Sequence, residues 1–408
     1  MRAADLHAGA AREDGFIREG DETPDLGMSF ELTGAQRALQ EEVTRFAREE
    51  LASDLVRRDA EGEFSRELWQ RCADAGILGL LVPEEFGGRG ADLVSVLAAV
   101  EGLGYGCADN GLAFAVGAHL WACTLPILHF GSTEQKRRYL PGLCDGRLIG
   151  ANAATEPASG SDIFSTATRA EPDGEGFVLR GEKAYITNAP VAGLLLVLAT
   201  TDTELGSAGL AIFLVERQEP GLSVRGPVRK MGVRTAPMGE VVFDGVRVGA
   251  GQILGPPGAG MAIFNTLITW ERACIMAGAV GTMRRQLERT IARARARRQF
   301  RQPIGRFQAV AHRIVEMKLR LETSRLLLYR VGWQLQRGER ATLESALTKL
   351  HIGESFLASS LDAVQLHGAY GYLTDNEIER DVRDAIAGRI YSGTSEIQRN
   401  IVAACLGL

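Results

Sequence analysis

Between about Ile149 and Gly260 a helix-patterned chain gives way to short β-branched segments, "GFVLRGEKAYITNAP", "LLLVLATT", "GLAIFLVE" and "EVVFDGVRV", separated by Gly, Pro, Asp and Asn. Segments of this length and composition read as strands. With no helix between them they predict a small antiparallel sheet or barrel, and the lack of a G-x-G-x-x-G opening a helix after a strand argues against a Rossmann domain. From about Phe30 to Leu148 the pattern is helical: Leu39, Val43, Phe46 and Leu51 recur at helical spacing, and Ser65 N-caps the following segment. After "GMAIFNTLI" the chain is helical again, with long segments that end at glycine. The fold class is α+β, divided as an extension (1–29), an N-terminal helical domain (30–148), a middle β domain (149–260) and a C-terminal helical domain (261–408).

The chain has 408 residues, 46 Lys and Arg against 51 Asp and Glu, and a net charge of −5, which argues against bulk affinity for nucleic acid. Six cysteines are scattered without a C-x-x-C, and the histidines form no H-E-x-x-H. That pattern predicts a reducing compartment, the cytoplasm, and no metal site. The first thirty residues are rich in acidic side chains and lack the apolar core of a signal peptide, so they read as a poorly ordered extension. No uncharged apolar run reaches the roughly 18 to 20 residues of a membrane span. The nearest candidate, "NTLITWERACIMAGAVG" (265–281), carries Glu271 and Arg272 at its centre.

That stretch reads as one buried helix, in which an unpaired carboxylate must shift its pKa or find a partner. Adjacent residues point about 100° apart, so Glu271 and Arg272 do not face each other and have separate tasks. Two readings stay open on the stretch alone: a structural ion-pair network, or a working group.

Two motifs bear on the choice: "ATEPASGSD" (154–162) and "KAYITNAP" (183–190). Together with the order of domains they resemble the acyl-CoA dehydrogenase family of flavoproteins, over nearly all of the chain from about residue 30. The resemblance implies a helical domain, a β-barrel domain and a C-terminal four-helix bundle, with FAD as cofactor. It places the Thr155 and Thr187 hydroxyls at the flavin ring, Tyr185 against the isoalloxazine, Ser161 on the phosphate side or the thioester chain, and backbone amides near Ala154 beside them.

Arg285, Arg289, Arg293, Arg297 and Arg301 recur every fourth residue as a stripe that drifts round a helix, a pattern usually belonging to a solvated face. By resemblance, the R-x-x-F element Arg297 to Phe300, with Gln308 and a Gln-x-x-Gly segment at Gln365 to Gly368, reaches the pyrophosphate of a flavin held mainly by a neighbouring subunit. A homo-oligomer, dimer or tetramer, follows. Arg301 departs from the family, which usually has glycine there.

In "YSGTSEIQRN" (391–400), Thr394 and Glu396 fall at cofactor-binding positions of the family, and Ser392 stands where many members carry their catalytic glutamate. Serine cannot be the base unaided. A minority, resembling isovaleryl-CoA and long-chain acyl-CoA dehydrogenases, carries the base just before a shared arginine on the helix corresponding to 261–281. Here that residue is Glu271, followed by Arg272 as a substrate-binding group. The resemblance thus implies α,β-desaturation of an acyl thioester: Glu271 takes the α-proton, flavin N5 the β-hydride, and the Ser392 backbone N–H polarises the carbonyl. The Ser392 side chain has no part in this scheme, and its loss should be mild. Electrons pass on to an electron-transfer flavoprotein or to oxygen.

Segments such as "NGLAFAVGAHLWACTLPILHFGS" are most similar to dehydrogenases of aminoacyl or acyl groups on a carrier protein, prolyl among them. Catabolism of a short or branched acyl-CoA is the alternative thioester reading. A flavin oxidase or monooxygenase acting on a non-thioester, and a non-catalytic protein using the arginine stripe on nucleic acid, are the readings from other classes.

Overall fold

The computed structural model describes residues 31–256 and 258–408; the expected N-terminal extension lies outside the described residues. The chain is an α+β protein with a helical N-terminal domain, a β-barrel middle domain and a C-terminal four-helix bundle.

Seven helices form the first domain: α1 (Gly34–Glu50), α2 (Leu55–Glu61), α3 (Arg66–Asp74), α4 (Leu93–Gly106), α5 (Asn110–His119), α6 (Leu125–Phe130) and α7 (Thr133–Cys144). Thr33 and Gln36 close a capping box at the start of α1, and Ser65 caps α3 by accepting from the Leu68 N–H. Val43, Ala47 and Leu51 are buried, and Leu39 and Phe46 pack against the same core. One turn of π-helix, Leu120–Thr124, joins α5 to α6. The resulting run Asn110–Phe130 is 21 residues long, with mean hydropathy 1.6 and 83% of its most apolar window buried. By length and composition it could cross a membrane, which corrects the choice of 265–281 as the most apolar segment. Its apolarity has another cause: it packs between α8, α9 and the first strand, which bury most of its length.

The middle domain has strands β1 (Gly150–Ala153), β2 (Arg169–Asp173), β3 (Gly176–Thr187), β4 (Leu194–Thr200), β5 (Leu210–Glu216), β6 (Leu222–Arg225) and β7 (Met238–Gly249). The pairs β2–β3, β3–β7, β6–β7 and β4–β5 are antiparallel, but β1 and β4 run parallel, Gly150 opposite Leu194 through Ala153 opposite Val197. The expectation of a purely antiparallel sheet fails there because the β2–β3 hairpin intervenes and β4 re-enters in the direction of β1. All seven strands send side chains into one interior, among them Ala151, Ala170, Leu179, Val197, Phe213, Leu222 and Val241. The other face of β4 and β5, with Leu196 and Leu214, packs on the helices, so β4 is buried along its whole length.

The last domain holds α8 (Gly260–Cys274), α9 (Ala277–Ala296), a hairpin of β8 (Arg298–Gln299) and β9 (Gln302–Pro303), then α10 (Gln308–Gln336), α11 (Thr342–His367), α12 (Ala369–Tyr372), α13 (Ile378–Ala387) and α14 (Ser395–Cys405). Helices α8 to α11 pack on one another as the bundle, and α14 lies on α11. Residues 265–281 are not one helix: the chain turns at Ile275 and Met276, placing Glu271 in the last turn of α8. A polar clasp joins the three domains. Asp109 pairs with Arg58 and accepts from Thr235, while Asn110 donates to Asp381 and Asp384, and Asp384 also accepts from the Val233 N–H.

Helix α4 meets α9 through glycine. A Cβ on Gly104 would overlap the Gly278 carbonyl, and one on Gly281 would overlap the Glu101 carbonyl. Gly281→Ala should therefore force these backbones apart and cost about 1–3 kcal/mol, read as a lower urea midpoint. An unchanged midpoint would show that the helices can part freely.

Candidate functional site

Glu271 and Arg272 are 8% and 6% exposed. The Ser392 hydroxyl donates to Glu271 Oε1 at 2.7 Å, and among the described residues nothing donates to Oε2. Burial pushes the Glu271 carboxyl above the ordinary carboxylate range; the Ser392 hydrogen bond and the Arg272 charge pull against it without reversing it. The serine hydroxyl, given no part by sequence reasoning, is thus the nearest partner of the candidate base.

Ser392 sits in the turn between α13 and α14, in the left-handed region at φ 54°, followed by Gly393 at φ 88°. Gln398, fully buried on α14, donates to both the Ser392 carbonyl (3.2 Å) and the Gly393 carbonyl (2.9 Å), and Thr394 caps α14 through the Ile397 N–H. No acceptor among the described residues takes the Ser392 N–H. The preceding Tyr391 stacks on Phe114 at 4.5 Å between centroids and donates to Met276 Sδ at 3.3 Å. A cavity of about 30 Å³ adjoins it, lined by Asn110, Phe114, Ile275, Phe356, Asp384 and Tyr391 among others.

The Arg272 side chain makes no hydrogen bond among the described residues, and its Nε is fully enclosed. Nearby, Lys349 of α11 is 0% exposed with its Nζ unpartnered, 5.9 Å from the Tyr391 ring centroid. Burial first, and Arg272 second, push its pKa down to about 8. Sequence reasoning missed Lys349; its only signal was a lysine on a helix whose neighbouring positions are small and apolar.

The two quoted motifs are physically joined. Lys183 Nζ reaches Glu156 Oε1 at 2.8 Å and the Ala154 carbonyl at 3.0 Å, with the pair 0% and 5% exposed, and the Ala184 N–H donates to the Thr155 carbonyl. Burial would raise the Glu156 pKa, but hydrogen bonds from Lys183, Thr166, Thr168 and Ala167 hold it down to about 2. Just beyond, the β3–β7 register slips between Lys183 and Ile186, and Tyr185 takes φ 60°. The bulge re-aims Tyr185 outward, leaving it 65% exposed. Thr155 and Thr187, half-buried on either side, have no hydroxyl partner among the described residues, and Ser161 is exposed on the following turn. The Ala184 N–H bond holds Thr155 beside Tyr185 and Thr187 of β3, while no hydrogen bond among the described residues ties Ser161 to them.

Arg297, Phe300, Gln308, Gln365 and Gly368 are all exposed, and no hydrogen bond among the described residues links them to the flavin motifs or to Glu271. Phe300 is 88% exposed at the hairpin tip. Arg301 follows at φ 67°, where an L-residue is strained by about 1–2 kcal/mol, the physical reason for glycine at such a place. Glu396 is exposed on α14. The arginine stripe is not one solvated face. Arg285 donates to the Gly104 and Cys107 carbonyls, Arg289 donates to the Asn376 carbonyl and Arg293 covers the Tyr370 ring, because the helix turns these three inward, while Arg297 and Arg301 are exposed.

Three family profiles match in order: the acyl-CoA dehydrogenase N-terminal domain over residues 33–147, its middle domain over 151–246 and its C-terminal domain over 258–407. The chain belongs to the acyl-CoA dehydrogenase family. An L-prolyl-[peptidyl-carrier protein] dehydrogenase of Pseudomonas fluorescens is 44% identical over 93% of this chain and 100% of its own length. The crystal structure of the prolyl acyl carrier protein oxidase AnaB superposes with TM-score 0.91 at 48% identity, over 93% of this chain and 100% of AnaB. A structure of PigA with FAD and proline does so with TM-score 0.91 at 40% identity, over 93% of this chain and 100% of PigA.

In this member of the family the Glu156–Lys183 pair spans 27 residues of sequence, so the dependence of one motif on the other was not readable from either. Lys183→Met leaves Glu156 buried without its cation and should cost about 3–5 kcal/mol by chemical denaturation. A loss under about 1 kcal/mol would remove the pair as the tie between the motifs. The folded pKa of Glu156 lies below its ordinary 4.5, and burial lowers that of Lys183 to about 8, so the charged pair contributes in full between those two values. It is lost as pH falls through about 2, and the Lys183→Met difference should narrow over the same window.

Proposed function

We propose that this chain is an FAD-dependent dehydrogenase that introduces an α,β double bond into an acyl thioester, the favoured acyl group being an amino acid such as proline on a carrier protein. The observation that carries the reading is Glu271: a buried carboxylate with one oxygen held by Ser392 and the other without a partner among the described residues. A carboxyl with a raised pKa suits the removal of a weakly acidic C–H proton near neutral pH. The identity to prolyl-carrier dehydrogenases over almost the whole chain supports the substrate class.

The residues present fit FAD: unpartnered hydroxyls of Thr155 and Thr187 flank an aromatic ring turned out by a bulge, and Phe300 is an exposed aromatic on a fixed hairpin. Thr155, Tyr185, Thr187, Ser161 and backbone near Ala154 would hold the flavin half, and Arg297, Phe300, Gln308, Gln365 and Gly368, with Thr394 and Glu396 as further contacts, the nucleotide half. Bound FAD supplies the hydride acceptor. The chain's own residues do the rest. Glu271 Oε2 takes the α-proton, the Ser392 N–H receives the thioester oxygen, and Arg272, next in the chain, is assigned to substrate binding. Exposed apolar side chains on α10 and α11, Val315, Leu319, Leu326 and Leu361, support a homo-oligomer. The enzyme is assigned to the cytoplasm, with an electron-transfer flavoprotein or oxygen as final acceptor.

The test is anaerobic bleaching of the flavin by acyl and aminoacyl groups, prolyl included, each offered on CoA and on a phosphopantetheinylated carrier protein. Bleaching by carrier-bound groups alone supports the reading, and equal rates on CoA would make the enzyme an acyl-CoA dehydrogenase of catabolism. Absence of bleaching by any thioester would reopen the oxidase or monooxygenase reading. Glu271→Gln should retain FAD and lose bleaching by roughly 10²–10⁴-fold. In the wild type kcat/KM should fall as pH drops through a group titrating above the ordinary 4.5, because only the ionised carboxylate accepts the proton. Turnover like wild type in Glu271→Gln would remove the residue as base.

A further inference from the structure

The Ser392 side chain is a polar group that the desaturation chemistry does not require, held at a left-handed backbone position where glycine would be unstrained. Its hydroxyl has one donor and two acceptor lone pairs. The donor goes to Glu271 Oε1 at 2.7 Å. Among the described residues no group donates to Ser392 Oγ, although the residue is half-buried and its neighbours Tyr391 and Phe114 are aromatic. A lone pair in such a place is either wet or used.

We propose that the Ser392 hydroxyl recognises the α-amino group of an aminoacyl thioester, donating its proton to Glu271 while accepting an N–H from the substrate nitrogen. The inference rests on the proposed function and deepens it. On the acyl α-carbon the hydrogen must point at Glu271, and the carbonyl oxygen at the Ser392 N–H. Two directions at the α-carbon are thereby set from two elements, α8 and the turn before α14. The α-nitrogen shares that carbon with the departing hydrogen and, under this proposal, meets Ser392 Oγ beside Glu271. A secondary amine presents at least one N–H whether or not it is protonated, so recognition does not depend on its charge. Arg272 and Lys349 have no free acceptor and, as buried cations, disfavour a charged amine on their own side. The hydroxyl therefore offers the nitrogen a neutral acceptor against the carboxylate. An all-carbon acyl group leaves the same lone pairs dry and unpaired, which should disfavour it on the order of ten- to a hundredfold.

The test compares prolyl with cyclopentanecarbonyl, in which a methylene replaces the ring nitrogen, each on the same carrier protein. The readouts are single-turnover flavin reduction and apparent binding in the wild-type holoenzyme, Ser392→Ala and Ser392→Gly. Glycine suits the backbone angle, and flavin content reports that each variant is folded. The wild type should prefer prolyl by roughly ten- to a hundredfold, and both variants should bring that preference to within about threefold. A role confined to holding Glu271 would slow both substrates alike. An unchanged ratio in both variants therefore overturns the proposal, as does a wild type without preference. Failure of the wild type to reduce its flavin with either thioester is a separate result: it would sink the proposed function, and this inference with it.

Discussion

Five donors converge on the carboxylate of Glu156: Lys183 Nζ, the Thr166 and Thr168 hydroxyls, and the N–H groups of Ala167 and Thr168. Without them a carboxylate 4% exposed could not stay ionised at neutral pH. With them it fixes the loop before β2 against β3, and hence sets Thr155, Tyr185 and Thr187 on one surface. Glu271 is a carboxylate of comparable burial with a single donor, Ser392, and its pKa is displaced upward rather than downward. The two differ in how many hydrogen bonds favour the charged form. Saturation makes the first a structural anchor; its absence leaves the second able to exchange a proton.

The polar clasp around Asp109, Asn110 and Asp384 has a related function in placing the site. It brings the loop holding Val233 and Thr235 against α5 and α13: Asp384 accepts from the Val233 N–H and Asp109 from the Thr235 hydroxyl, so that side chains of both helical domains hold the middle domain. The small cavity beside Tyr391 lies against this clasp, with Asn110 and Asp384 in its wall. The position of the 391–394 turn relative to α5 is thus set by buried hydrogen bonds rather than by apolar packing alone, which leaves little freedom for a loosely placed reacting group.

The helical, β, helical order was legible because periodicity reports burial directly, and the two motifs and Glu271 were legible as residue types in a telling context. Three features were not. The break at Ile275 and Met276 carries no glycine or proline, so the apolar run read through it. The membrane-length run Asn110–Phe130 escaped notice because its histidines and small residues dilute a pattern that only packing explains. The partners of buried charges, Glu156 with Lys183 and Glu271 with Ser392, lie 27 and 121 residues apart, and no local rule links them. The stripe of arginines shows the converse: a strong periodic signal whose meaning changed because helix α9 turns Arg285, Arg289 and Arg293 onto its neighbours.

On the proposed function, the turn at Ser392 shows how a base can be carried by a loop or by a helix within one fold. Its backbone is fixed from outside, by Gln398 holding both carbonyls and by the Thr394 cap, and neither contact involves the side chain at 392. The Ser392 N–H therefore keeps its direction whatever residue stands there. Glu271 approaches the same point from α8, close enough for its oxygen to meet the serine hydroxyl. A carboxylate borne on either element would reach the same volume, while two at once would repel each other in a site of low dielectric. On the proposed function, a carboxylate on α8 releases position 392 from proton transfer, and a small hydrogen-bonding side chain there can be selected by what the acyl group carries on its α-carbon.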